Sequence, residues 1–272
     1  MKERALQLAR QTPRRDRLNV LREYLQAHLL FSLQSARAFE QLAFVGGSAL
    51  RFLHGLRRFS EDLDFSLEHP SQYDLHRLAR RIERDLSMAG FDVGLHLRER
   101  TAVHTVSVRV GEILHEAELT SHKAQKLAIR LEVDTNPPAG ASTETTLVNR
   151  HFLLALVHHD LSSLMAGKVH AVLSRPHIKG RDIYDLLWYL SRREPVRPNI
   201  SLLRNALAQT GWTGDDVSEA SWTQLVADRL RDANFRRISE DVAPLLESPE
   251  ERAVLRREVV LTALSKAYDP EA

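Results

Sequence analysis

Apolar positions along the chain follow two periods, one helical and one of strict alternation. Leu18, Leu21, Leu25, His28, Leu29, Ser32 and Leu33 recur at helical spacing and predict a helix over 18–39, packed on a sheet that begins near Leu42. A short apolar run ending at Phe44-Val45 meets two glycines and a serine, and a helix-like pattern then continues to His54. That order reads as strand, tight turn, helix. From Phe59 the period becomes two. Phe59, Glu61, Leu63 and Phe65 face one way, and Ser60, Asp62, Asp64 and Ser66 face the other. Residues 74–88 form an amphipathic helix with Leu75, Leu78, Ile82 and Leu86 inward and Arg77, Arg80, Arg81 and Arg84 outward; Gly90 ends it.

Segments 91–98 and 103–110 alternate like the two strands of a hairpin. Leu127 to Thr135 is the next strand, with Leu127, Ile129, Leu131 and Val133 on one face and Ala128, Arg130, Glu132 and Asp134 on the other. Segments 144–149 and 151–157 read as two more strands or one bent strand, and Asp160 is placed to cap a helix over 161–174. A further helix covers 181–190. Beyond it, segments near 200–209, 222–233, 240–247 and 249–267 keep helical spacing, with Trp212 and Trp222 read as core. The basic stretch 1–17 around Pro13 reads as a solvated terminus. The expected class is α/β (α+β), a mixed sheet flanked by helices with a C-terminal helical lobe. The expected domains are an αβ domain over 1–160 and a helical lobe over 161–272 that contributes Lys168 to a cleft.

Composition narrows the picture. At 272 residues and 31.0 kDa the chain suits one large domain or two modest ones. It has no cysteine, which excludes disulfides and thiolate metal sites. The longest apolar run, Phe152 to Val157, is too short for a bilayer, and the charged start Lys2-Glu3-Arg4 has no secretory pattern. No membrane association and a cytoplasmic location are expected. A net charge of +2 with a pI near 9.0 permits nucleic-acid binding without requiring it.

The chemistry gathers around Phe44 to Phe65. Gly46 and Gly47 allow a sharp turn and close approach of a ligand. Ser48 falls near a helix N-terminus, where free N–H groups favour a phosphate. Asp62 and Asp64 share a strand face about 7 Å apart and repel each other unless a cation lies between them. Mg²⁺ suits that position, because it takes oxygen ligands from carboxylates and substrate phosphates. A phosphate cradle just upstream of a metal pair equips a protein for phosphoryl or nucleotidyl transfer. Each feature alone has a plainer reading, as an ordinary turn and a solvated sheet face. Lys168 falls within the apolar stripe of its helix (Leu161, Leu164, Met165, Val169, Val172, Leu173) and so needs an anionic partner. That partner is either a buried carboxylate or a ligand phosphate.

The string Gly46-Gly-Ser-Ala-Leu-Arg51, then His54, then Arg58-Phe-Ser-Glu-Asp-Leu-Asp-Phe65 resembles the polymerase-beta-like nucleotidyltransferase superfamily, and most closely its AbiEii branch. These are nucleotidyltransferase toxins of bacterial type IV toxin–antitoxin pairs. The resemblance extends through Gly167-Lys-Val-His-Ala171 and Arg181-Asp-Ile-Tyr-Asp-Leu186, covering residues 42 to about 190. It implies that Gly46, Gly47 and Ser48 hold NTP phosphates and that Asp62 and Asp64 bind Mg²⁺ or Mn²⁺. It also implies a third acid on a neighbouring strand, Glu132 with Asp134 in reserve. Lys168 and Arg181 are the implied nucleotide contacts. Asp182 or Asp185 either orients Lys168 or meets the base or ribose. The implied acceptor is an RNA 3′ end, tRNA among them, or a protein hydroxyl. The implied setting is growth inhibition, opposed by a cognate antitoxin encoded nearby. Two alternatives stand beside this: a non-catalytic nucleotide- or RNA-binding module on the same fold, and transfer to a small molecule.

Overall fold

The computed structural model describes residues 1–266. The chain divides into two compact units. The first is built from residues 1–55, 59–137 and 144–158, and the second from residues 56–58, 138–143 and 159 onward.

The first unit opens with helix α1 (Lys2–Gln11) and helix α2 (Arg17–Ser35). The N-terminal stretch is therefore helical rather than a solvated arm. Ala5, Leu6 and Ala9 form a narrow buried stripe that the surrounding charges obscure in the sequence. Strand β1 (Leu42–Val45) leads directly into helix α3 (Gly46–His54). Strand β2 (Leu63–Leu67), helix α4 (Leu75–Met88) and the hairpin of β3 (Val93–Arg98) and β4 (Val103–Val110) follow. Asp74 caps α4 by accepting from the Arg77 N–H. A short helix α5 (Ile113–Glu116), not foreseen from the sequence, precedes β5 (Leu127–Asp134), β6 (Thr143–Asn149) and β7 (Leu153–His159).

The strands form one sheet in the order β3-β4-β5-β2-β1-β7-β6. β2 runs antiparallel to β1 and parallel to β5, while β4 is antiparallel to both its neighbours. The expected mixed α/β architecture is what the chain adopts. On β5, Leu127, Ile129, Leu131 and Val133 are buried, whereas Ala128 and Arg130 on the other face are exposed. Hydrophobic burial thus fixes which face of the sheet stays open, and a one-residue slip would invert it.

Strand β2 is shorter than the alternation suggests. Residues 59–62 lie outside it because their groups bond elsewhere. The Ser60 carbonyl accepts from the Gln26 side chain, and the Phe59 ring lies under the Arg51 guanidinium at 4.1 Å. Arg58, in the second unit, makes an isolated bridge with Leu246.

The second unit is helical: α6 (Leu161–Ser174), α7 (Gly180–Leu190), α8 (Ile200–Gln209), α9 (Trp222–Arg231), α10 (Phe235–Val242) and α11 (Arg257–Lys266). Asp160 caps α6 as expected, accepting from the Ser163 N–H at 2.7 Å. Asn199 and Asn234 cap α8 and α10 in the same way. The Asn234 cap starts α10 five residues ahead of the expected 240. A 3₁₀ turn over Pro249–Val254 interrupts the helix expected over 249–267, whose last residue lies outside the described residues. Trp222 is core, while Trp212 is half-buried with its ring against Gly214. Among the described residues no helix is long and apolar enough to cross a membrane.

Candidate active site

In the first unit, strand register gathers the acidic residues. Asp64 on β2 lies opposite Glu132 on β5, and Ser66 lies opposite Asp134. The pairing runs from Leu63↔Leu131, so Asp62 is the next residue before the ladder. Its carboxylate meets the Arg130 guanidinium through two bonds of 3.0 and 2.8 Å. Arg130 also reaches Glu132 at 3.6 Å. Asp62, Asp64 and Glu132 are therefore grouped around one arginine on the open face of the sheet. Asp134 sits one position pair further along, and its Oδ1 accepts from the Asn136 N–H at 3.0 Å.

The glycine pair occupies the first turn of α3 rather than a turn ahead of it. Gly46 has φ +78°, and a Cβ there would collide with the Asp64 carboxylate. Glycine is thus required twice, by the backbone and by the neighbouring acid. Ser48 is fully buried and its hydroxyl donates to the Asp62 carbonyl. The hydroxyl therefore secures the Asp62 segment instead of opening to a ligand. What remains toward a phosphate at this helix start is main-chain N–H and the helix dipole.

α3 is held from behind. Arg51 donates to the buried Glu23 on α2. Arg150 bonds the other oxygen of that carboxylate at 2.9 Å and the Arg51 carbonyl at 3.3 Å. Burial alone would push the Glu23 carboxyl up, but the His151 hydrogen bond and the charges of Arg51 and Arg150 bring it down to about 2. Neither Glu23 nor Arg150 stands out in the sequence, because their pairing depends on contacts far apart along the chain.

The donor chemistry fits a divalent hard cation: carboxylate oxygens on one open face, beside a helix N-terminus. Among the described residues, no group of three His, Cys, Asp or Glu is arranged to hold a metal ion. On this face the Arg130 guanidinium engages both oxygens of Asp62. Its side chain is about half exposed (54%), so it can swing into solvent when another cation takes the carboxylate.

The second unit holds the remaining candidates. Lys168 Nζ lies 2.8 Å from Asp185 and 3.3 Å from Asp182. Arg58 binds both oxygens of Asp185, each at 2.6 Å, and Arg175 pairs with Asp182. The inward lysine thus has the buried carboxylate partners that its position demands. Asp185 is not turned away from the apolar face of α7 as its spacing suggests, nor paired with Arg181. It is wholly buried, as is Asp182, because Arg58 and Lys168 reach it. Burial would raise the Asp185 carboxyl, but Arg58 and Lys168 hold it below the ordinary carboxylate range. Arg181, in the first turn of α7, makes none of the bonds of this cluster. The sequence carried no sign of the part played by Arg58, whose partner lies far downstream.

Two solved structures share the fold. The JHP933 protein of Helicobacter pylori matches at 17% identity and a TM-score of 0.54, over 92% of this chain and 93% of that one. A candidate nucleotidyltransferase from H. pylori matches at 18% identity and a TM-score of 0.52, over 91% and 96%. No curated protein sequence matches the chain. The family model for the nucleotidyl transferase AbiEii toxin of type IV toxin–antitoxin systems matches residues 28–257, which takes in every candidate described above. The chain belongs to the AbiEii nucleotidyltransferase toxin family.

Proposed function

We propose that the protein transfers a nucleoside monophosphate from an NTP to a hydroxyl at an RNA 3′ end, with tRNA the first acceptor to test. The observation that carries this reading is the in-register pair Asp64 and Glu132, with Asp62 beside them and Gly46 under the Asp64 carboxylate. Asp62 and Asp64 would hold Mg²⁺ or Mn²⁺. When bound, the ion supplies charge that polarises the α-phosphate and neutralises the departing pyrophosphate.

The main chain of Gly46 and Gly47 binds nucleotide phosphate at the start of α3. Glu132, with Asp134 in reserve, accepts the proton of the attacking hydroxyl. The acceptor oxygen bonds to the α-phosphorus, the bond to the β-phosphate oxygen breaks, and pyrophosphate leaves. Lys168 is assigned to charge on the phosphates, with Asp182 and Asp185 fixing its ammonium. The activity is read as that of a growth-inhibiting toxin working in the cytoplasm, countered by an antitoxin encoded nearby.

A second reading has one observation in its favour. Arg130 already neutralises Asp62, as suits a nucleotide- or RNA-binding module that does no chemistry. One experiment separates the two. Each α-³²P-labelled NTP is incubated with total bacterial RNA and Mg²⁺, with wild type beside Asp62→Ala and Lys168→Ala. Label on one RNA size class, lost in both variants, supports transfer. Label found on protein or a small molecule instead keeps the chemistry and changes the acceptor. Nucleotide binding without incorporation anywhere favours the binding module.

A further inference from the structure

The second unit contains a cavity of about 250 Å³, of mixed polar and apolar lining, that none of the residues assigned above lines. Its walls include Pro176 and His177 from the α6–α7 loop, Arg229 near the end of α9, and Asp232, Asn234 and Arg237 at the turn into α10. The two arginines differ from their neighbours. Arg231 is paired with Asp228 at 2.6 Å, and Arg236 with Glu240 at 3.0 Å. Arg229 and Arg237 have no carboxylate partner among the described residues. Arg229 Nη2 donates to the carbonyls of Arg175 and Pro176 at 2.7 and 3.2 Å. Its Nε is buried and has no hydrogen-bond partner among the described residues.

Pro176, Ile178, Ala233 and Ile238 supply the apolar part of the wall, and the remaining polar groups are mostly donors. Asn234 uses its amide oxygen on the Arg237 N–H, which leaves its NH₂ as a donor. His177 adds an imidazole. Asp232 is the one carboxylate among these residues, set against two guanidinium groups. Such a set suits an oxyanion with several acceptor oxygens, and planar guanidinium forks match phosphate geometry. The cavity also shares its loop with the Lys168 cluster. Arg229 grips the Arg175 carbonyl, and the Arg175 side chain pairs with Asp182.

We propose that this cavity is a phosphate-binding subsite that takes a phosphodiester group of the nucleic-acid acceptor. The proposal rests on the reading that the protein acts on phosphate-bearing substrates, but it does not need the transfer reaction to occur. A nucleotide triphosphate offers the same oxyanion, so the test carries both ligands.

The test uses the full chain without Mg²⁺, so that no turnover is required. Binding of a fluorescent single-stranded RNA is followed by anisotropy across a NaCl series, and ATP binding by equilibrium dialysis. Arg237→Ala is compared with wild type and with Arg236→Ala, a neighbouring arginine outside the cavity. Among the described residues the Arg237 side chain makes no hydrogen bond or ion pair, so its loss leaves the fold intact, as an unchanged Tm would verify. Arg237→Ala should weaken RNA binding roughly three- to tenfold and reduce the salt slope by about 1, while Arg236→Ala behaves as wild type. A loss confined to ATP binding assigns the subsite to nucleotide phosphate. Unchanged affinity for both ligands, or an equal loss in Arg236→Ala, overturns it. If RNA binding depends on Arg237 and no labelled NTP is ever incorporated, the transfer reading fails and the subsite stands.

Discussion

Arg58 and Asp185 stand 127 residues apart in the chain and close on each other as a buried bidentate pair, with both nitrogen–oxygen distances at 2.6 Å. Removing the arginine alone strands a carboxylate that Lys168 only partly compensates. Breaking a buried pair from one side costs about 3–5 kcal/mol. Arg58→Ala should therefore lower the unfolding free energy by about that much in urea denaturation. Replacing both partners with apolar residues, as Arg58→Met with Asp185→Leu, should cost less. Equal losses in the single and double variants would mean that packing, not charge, is what the arginine supplies.

Glu23 predicts a pH dependence. Its carboxyl is lowered from an ordinary 4.5 to about 2 in the folded protein. A folded value below the unfolded one means that its stabilisation is complete above the unfolded value. It is then lost as the pH falls toward 2. A shift of this size corresponds to on the order of 3 kcal/mol. Glu23→Gln should be less stable at neutral pH yet lose less stability between about pH 5 and pH 2. Calorimetric Tm values across that range, with the same slope in both proteins, would remove Glu23 from the account.

Gly46→Ala tests the start of α3. An alanine must hold a positive φ and push the Asp64 carboxylate aside. A strained non-glycine residue costs about 1–3 kcal/mol, and the displaced carboxylate should lower labelled nucleotide incorporation more than Tm alone would suggest. Gly55→Ala is the comparison, since Gly55 has φ +71° with open space around its Cβ position. Equal loss of incorporation at both sites would argue against any special part for Asp64.

Arg130→Gln separates stability from cation binding. The Arg130–Asp62 pair is half exposed on the arginine side, so its loss should change stability by less than about 1 kcal/mol. Asp62 would then be open to a metal ion, and Mn²⁺ should bind more tightly, as read by titration calorimetry or electron paramagnetic resonance. Unchanged Mn²⁺ affinity would mean that Arg130 does not compete for the carboxylate.

Much of the first unit was legible in the sequence, because its strands are half-buried and alternation reports burial directly. Period two along Leu127 to Asp134 gave both faces of β5. It could not choose between Glu132 and Asp134, because register belongs to two strands at once and only pairing with β2 sets Asp64 opposite Glu132. The burial of Asp185 against Arg58 was hidden for a similar reason. Helical spacing shows which residues share a face, but it does not reveal an arginine arriving from far upstream to neutralise a buried acid. Ser48 was assigned to a ligand from its place in the motif, whereas its hydroxyl is taken by the Asp62 carbonyl. The short stripe Ala5, Leu6, Ala9 was hidden by the charges around it.

Residues 56–58 belong to the second unit although the chain before and after them builds the first. During synthesis Arg58 leaves the ribosome 127 residues ahead of Asp185, which at typical rates of elongation is a wait of roughly 6 to 25 s. The first unit can collect its strands over that interval, while the guanidinium stays hydrated until α7 emerges. Maturation of the nascent chain therefore includes a long-range closure. A product truncated between residues 158 and 185 would carry the whole acidic sheet face and leave Arg58 with nothing to close on.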